Sequence, residues 1–82
     1  MVTVDYDNLF QKRCKKIKDV ALKLRVKKQI AKIIESPEIG KPMKHDRKGT
    51  REVYVPPFRL SYAHLPEEDK IIFLDLYHKD EQ

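Results

Sequence analysis

The stretch "VYVPPFRLSYAHLPEEDKIIFLDL", Val53 to Leu76, decides the fold. Val53 and Val55 alternate with Glu52 and Tyr54. Phe58, Leu60 and Tyr62 alternate with Arg59, Ser61 and Ala63, and Ile72, Leu74 and Leu76 with Ile71, Phe73, Asp75 and Tyr77. Period-two alternation in three short runs predicts three consecutive strands, joined as an antiparallel meander with one face on a core. Pro56-Pro57 cannot donate ladder hydrogen bonds and belongs in the first turn, with "LPEEDK" as the second. Parity then turns Val53, Val55, Phe58, Leu60, Tyr62, Ile72, Leu74 and Leu76 inward. The other face receives Glu52, Tyr54, Arg59, Ser61, Phe73, Asp75 and Tyr77, and continuing the count adds Lys79. A face that mixes rings with charges can stack bases and hold a phosphate on Arg59. An idle face with an Arg59–Asp75 cross-strand ion pair fits the same pattern.

Upstream, Val2, Val4 and Tyr6 alternate with Thr3 and Asp5 as a short strand. Asp7 can cap a helix whose apolar positions are Phe10, Cys14 and Ile17. Cys14, on that inner stripe, reads as a small buried apolar residue. A second helical pattern starts at Asp19, with Val20, Leu24, Ala31 and Ile34 as its stripe, widened by Ile30 and Ile33. Lysines fill the opposite side, and Ser36-Pro37 ends it because proline pushes the preceding residue out of the helical region. The whole reads as α+β: an N-terminal strand, a helical hairpin, then the meander completing one sheet, with the helices packed on one face.

The chain has 82 residues, and one domain over 1–82 is expected. Apolar residues make up 40% and charged residues 38% of it, enough for a modest core that a partner's cover would stabilise further. The net charge of +5 is unevenly spread. Between Gln11 and Lys32 ten lysines or arginines face one acid, Asp19, an asymmetry that favours a polyanionic partner. No apolar run approaches a membrane span, and "MVTVDYDNLF" lacks the features of a signal peptide. A cytoplasmic protein is the expectation. A single cysteine excludes an internal disulfide, and His45, His64 and His78 lack ligand spacing, so neither metal nor cofactor is expected. "SPEIGKPMKHDRKG", Ser36 to Gly49, has no clear period. Its Lys41, Lys44, His45, Arg47 and Lys48 are candidate phosphate contacts.

The order of strand, hairpin and meander, together with "IGKPMKHDRKGTREVYV" and "FRLSYAHLPEEDKIIFLDLYHKDE", resembles the RelE/ParE superfamily of toxins from type II toxin–antitoxin systems. Phe58-Arg59-Leu60-Ser61-Tyr62 stands where that family has a Tyr-Arg-hydrophobic-hydrophobic-Tyr strand, and His78-Lys79 where it has a terminal basic pair. The resemblance implies a toxin neutralised by a cognate antitoxin, acting with the ribosome as a metal-independent mRNA endonuclease. Arg59, Lys79 and His78 are then the catalytic candidates. Arg59 would stabilise the phosphate because its planar fork stays charged and can hold two oxygens. Lys79 would add a phosphate contact, and His78 beside it is of the residue type suited to proton transfer. Lys41, Lys44, His45, Arg47, Lys48, Tyr54 and Tyr77 are the RNA-binding candidates. The alternatives are a non-enzymatic ParE-like toxin that poisons gyrase, and a toxin fold with weakened catalysis. Glu52 and Tyr54 stand on a strand where many RelE-like toxins carry basic residues, and Lys79 replaces the usual arginine.

Overall fold

An order of elements that follows these patterns is seen in the computed structural model, which describes residues 2–42, 49–78 and 80. Strand β1 (Thr3–Tyr6) leads into helix α1 (Asn8–Lys15) and helix α2 (Val20–Glu35). A 3₁₀ turn (Pro37–Ile39) and the two-residue strand β2 (Lys41–Pro42) follow. The meander is β3 (Thr50–Val55), β4 (Phe58–Leu65) and, after a 3₁₀ turn at Pro66–Glu68, β5 (Lys70–His78). All five strands form one sheet in the order β1-β5-β4-β3-β2, with β1 parallel to β5 and the meander antiparallel. The α+β class and the strand–hairpin–meander order are as expected. β2 is an added edge strand inside the segment that shows no period in sequence.

Asp19 starts α2 as its composition demands, its Oδ1 accepting the N–H groups of Ala21 at 2.9 Å and Leu22 at 3.3 Å. Asp7 holds the equivalent position before α1, but its carboxylate makes no capping bond; its backbone carbonyl accepts from Gln11 instead. The buried stripe of α2 differs from the expected one. Leu22, Val26 and Ile33 are buried and Ile30 and Ile34 partly so, while Val20 and Leu24 are exposed. Both stripes have helical spacing, so periodicity cannot choose between them; the rotation is set by the sheet that the helix covers.

The core joins α1 through Phe10 and α2 through its stripe to Val55, Leu60, Tyr62, Ile71, Phe73 and Leu76. Three rings anchor it: Phe73 lies 5.5 Å from Phe10 and 6.1 Å from Tyr62, centroid to centroid. Here parity along β5 fails. Pairing steps from Ser61↔Asp75 to Tyr62↔Phe73, leaving Leu74 as the extra residue of a β-bulge. Upstream of the bulge Ile71 and Phe73 are buried; downstream Leu76 is. Ile72 and Leu74, expected inward, are only partly buried, and Phe73, expected on the binding face, belongs to the core. Burying a phenylalanine side chain is worth about 1.5–3 kcal/mol, so Phe73 contributes to the core that the bulged register builds. Among the described residues no helix is long and apolar enough to cross a membrane.

Tyr62 also reaches beyond the core. Its hydroxyl donates to the Pro37 carbonyl at 2.6 Å and accepts from the Gly40 N–H at 3.0 Å. Arg51, opposite Tyr62 in the ladder, donates to the carbonyls of Gly40 at 2.8 Å and Glu38 at 3.2 Å. A Cβ on Gly40 would meet the Tyr62 hydroxyl at 2.6 Å, so only glycine permits this approach. The clamp pins the chain that leads into β2 and so fixes where Lys41 sits.

Candidate functional site

The alternation that buries Leu60 and Tyr62 turns Arg59 to the other face of β4. The ladder places it opposite Tyr54 on β3 and Tyr77 on β5, one row of three residues across the meander. Glu52, two residues before Tyr54 on the same face, is a diagonal neighbour of Arg59. Its Oε1 lies 3.3 Å from Arg59 Nη1, and its Oε2 accepts the Tyr77 hydroxyl at 2.8 Å. One carboxylate thus ties together side chains from all three meander strands.

The expected Arg59–Asp75 pair does not form. Asp75 is the other diagonal neighbour of Arg59, but it follows the bulge and turns its Oδ1 to Arg13 Nε of α1, 3.5 Å away. Its carboxylate also accepts the Leu76 N–H. With that diagonal taken, Arg59 engages Glu52. A guanidinium carries five N–H donors, and among the described residues Glu52 engages Nη1 alone. The arginine side chain keeps 36% of its surface exposed, so its remaining donors can reach a ligand.

Around Arg59 lies an open groove of 590 Å³. β2 pairs with β3 only at Lys41↔Glu52 and Pro42↔Arg51, so β3 beyond Glu52 is an edge among the described strands. The groove follows that edge. Lys41, Glu52, Tyr54 and Arg59 line it from the sheet, Gln29 and Lys32 from the last turns of α2, and Ile39 from the 3₁₀ turn. Tyr54 is 51% exposed, leaving a ring face available for stacking. Three cations surround one acid, which gives the groove a net positive field. Its volume can admit a nucleotide-sized group.

Of the candidates from sequence, the structure therefore brings together Arg59, Tyr54, Tyr77 and Lys41. His78 is not with them. It faces Phe58 in the ladder, on the side of the sheet opposite Arg59, and its ring packs edge-on against Phe58 at 5.6 Å. Its Nδ1 accepts the Asp80 N–H at 3.2 Å, which in the neutral ring leaves the proton on Nε2. Lys44, His45, Arg47, Lys48 and Lys79 lie outside the described residues. Sequence reading missed Gln29 and Lys32, which reach the groove from α2, and took Glu52 only as a departure from a basic pattern. The period-two rule had put Glu52 on the face of Arg59; nothing in the sequence gave the diagonal that joins them.

Two other titratable groups report burial. Desolvation raises the Cys14 thiol, which makes its thiolate scarce and fits its reading as an apolar filler. Burial likewise raises the Tyr62 phenol, with the Gly40 hydrogen bond and Arg51 opposing. Among the described residues, no group of three or more His, Cys, Asp or Glu side chains could hold a metal ion.

The chain was compared with known families and structures. A model described as the ParE toxin of the type II toxin–antitoxin system parDE matches residues 4–82. No curated protein matches the chain. Solved structures agree closely in fold. The toxin of the intact E. coli RelBE toxin–antitoxin complex superposes with TM-score 0.80 at 18% identity, over 95% of this chain and 96% of that one. The Mycobacterium tuberculosis toxin–antitoxin complex RelBE2 gives 0.78 at 22%, over 95% and 98%. A YoeB/ParE toxin from Agrobacterium tumefaciens gives 0.81 at 12%, over 94% and 98%. At these identities the agreement is one of fold.

Proposed function

The chain belongs to the ParE toxin family of type II toxin–antitoxin systems, and within that frame we propose, from the setting of Arg59, that it arrests translation by cutting messenger RNA on the ribosome. The observation that carries this reading is the setting of Arg59. It is a partly exposed guanidinium in a groove shared with Lys32, Lys41 and the open ring of Tyr54. Single-stranded RNA needs both parts, cations for its backbone and a ring on which a base can stack. Metal-free RNA cleavage proceeds by attack of a 2′-hydroxyl on the adjacent phosphate. Charge then develops on the phosphate oxygens, and a fixed guanidinium stabilises them there. Arg59 takes that role, with Lys32 and Lys41 holding flanking phosphates and Tyr54 a base. The ten basic residues of the helical hairpin supply an electrostatic surface for ribosomal RNA. The site of action is the cytoplasm, where ribosomes are. RelBE structures are toxin–antitoxin complexes, and by analogy a cognate antitoxin neutralises this chain.

The test is cleavage of a defined messenger on programmed ribosomes by wild type and Arg59→Ala. Wild type should cut within the ribosome-bound codon and leave free RNA intact, and Arg59→Ala should lose at least about 100-fold in rate. Equal rates for the two proteins would remove Arg59 from the mechanism. The matched family description names ParE toxin, and this favours a second reading, a toxin that blocks a topoisomerase by protein contact without chemistry. Inhibition of gyrase supercoiling together with intact ribosomal messenger would establish that reading instead.

A further inference from the structure

We infer that Glu52 is the proton acceptor of the cleavage step. The inference rests on the endonuclease reading above and adds a second catalytic residue to it. Glu52 is the one carboxylate among the described residues that line the groove, and His78 is turned to the other side of the sheet. The other groove side chains with ionisable groups are Lys32, Lys41, Tyr54 and Arg59. Lysine, arginine and phenol side chains ordinarily hold their protons near neutrality, so among the described groove residues the group suited to take the 2′-hydroxyl proton is the carboxylate.

The geometry is directional. Tyr77 holds Oε2 with a short 2.8 Å hydrogen bond and so fixes the carboxylate plane. Oε1 touches Arg59 Nη1 at 3.3 Å, long for a charge-assisted bond, which is about 2.7–2.9 Å. That oxygen is the one free to exchange partners. The attacking 2′-oxygen is separated from its phosphorus by two ribose carbons and the 3′-oxygen. A phosphate held on the remaining Arg59 donors therefore brings the hydroxyl to the carboxylate seated against the same guanidinium.

In the step, the 2′-oxygen gives its proton to Glu52 Oε1 and forms a bond to phosphorus. The bond from phosphorus to the 5′-oxygen breaks, and that oxygen takes a proton from solvent water. Glu52 later returns its proton to solvent. The products are a 2′,3′-cyclic phosphate and a 5′-hydroxyl, with no water consumed and no change in oxidation state.

Glu52→Gln keeps the shape but cannot accept the proton. Its amide oxygen can still accept from Arg59, while its amide nitrogen donates to the Tyr77 hydroxyl, reversing that bond. Single-turnover cleavage is measured on programmed ribosomes at saturating toxin. Binding to ribosomes carrying a messenger with a 2′-deoxy nucleotide at the cut position is measured alongside. The expected result is a fall in rate of about 100-fold or more, with affinity for the deoxy messenger within about threefold of wild type. Glu52→Asp should recover part of the rate. A Glu52→Gln protein that cuts as fast as wild type, or faster, would overturn the proposal and leave the carboxylate as a mere occupant of the Arg59 fork. Loss of binding matching the loss of rate would overturn it too, by making Glu52 structural. Wild type that leaves ribosomal messenger uncut would overturn the endonuclease reading itself, and this proposal with it.

Discussion

Two arginine–tyrosine pairs face each other across adjacent strands of the meander, one on each side of the sheet, and they do opposite things. Arg51 and Tyr62 are ladder partners on the helix side. Their donors end on backbone carbonyls of the Pro37–Gly40 segment, and the Tyr62 hydroxyl both donates and accepts. Arg59 and Tyr77 are ladder partners on the open side, and both donate to a single carboxylate, Glu52. A carbonyl fixed in the backbone cannot leave, so the first pair is structural. A carboxylate on a side chain still 24% exposed can yield its place to a phosphate oxygen, so the second pair can work on a ligand. Residue type is the same in both; the acceptor makes the difference.

The contrast sets an order of effects on stability. Tyr62→Phe keeps the ring and removes the hydroxyl, leaving the Gly40 N–H and the Pro37 carbonyl without their partner. An unsatisfied buried group costs about 1–3 kcal/mol, so urea unfolding should show a loss of about 2 kcal/mol. A loss below about 0.5 kcal/mol would mean that the clamp contributes little.

Alkaline pH probes the same pair without mutation. The folded phenol of Tyr62 ionises above its ordinary value of 10.0 because burial disfavours the anion. The unfolded chain therefore releases this proton first. The stability from keeping Tyr62 neutral is whole below pH 10, and it is lost as pH rises through the higher folded value. The loss approaches at most about 1.4 kcal/mol per pH unit. Unfolding titrations between pH 9 and 11, run on wild type and Tyr62→Phe, should converge as pH rises. Parallel curves would show that Tyr62 is not the group responsible.

The smallest effect belongs to the open side. Arg59→Met keeps the stem and removes the charge. Because the pair is partly solvated, the cost should stay under about 1 kcal/mol, and the Tyr77–Glu52 bond survives. A loss above about 2 kcal/mol would make the two pairs alike and weaken the case that the second is kept for a ligand. Taken with the ribosome assays, large activity loss and small stability loss at Arg59 and Glu52 should mirror the reverse at Tyr62.

Much of the fold was readable because its strands are short and their periods clean. β3 and the first half of β4 carry the alternation in sequence, with Val53, Val55, Phe58, Leu60 and Tyr62 against Tyr54, Arg59 and Ser61, and Asp19 and Ser36-Pro37 mark the ends of α2 by local chemistry. β5 defeated the same rule at one residue, Leu74, since a bulge inserts a position without any residue type that announces it. In the site, Arg59, Tyr54 and Tyr77 were legible as outward residues of the strands, and their neighbourhood follows from register. His78, next to Lys79 in sequence, takes the opposite face from Tyr77.

The sequence by itself determined β1, the two helices, the three meander strands, their order and the side of the sheet on which Arg59 stands, because those depend on period, capping and turn chemistry within a few residues. Only the tertiary structure decided which carboxylate meets Arg59, which stripe of α2 is buried, and that Phe73 enters the core. Those outcomes depend on cross-strand register and helix rotation, which are set by packing between segments far apart in the chain.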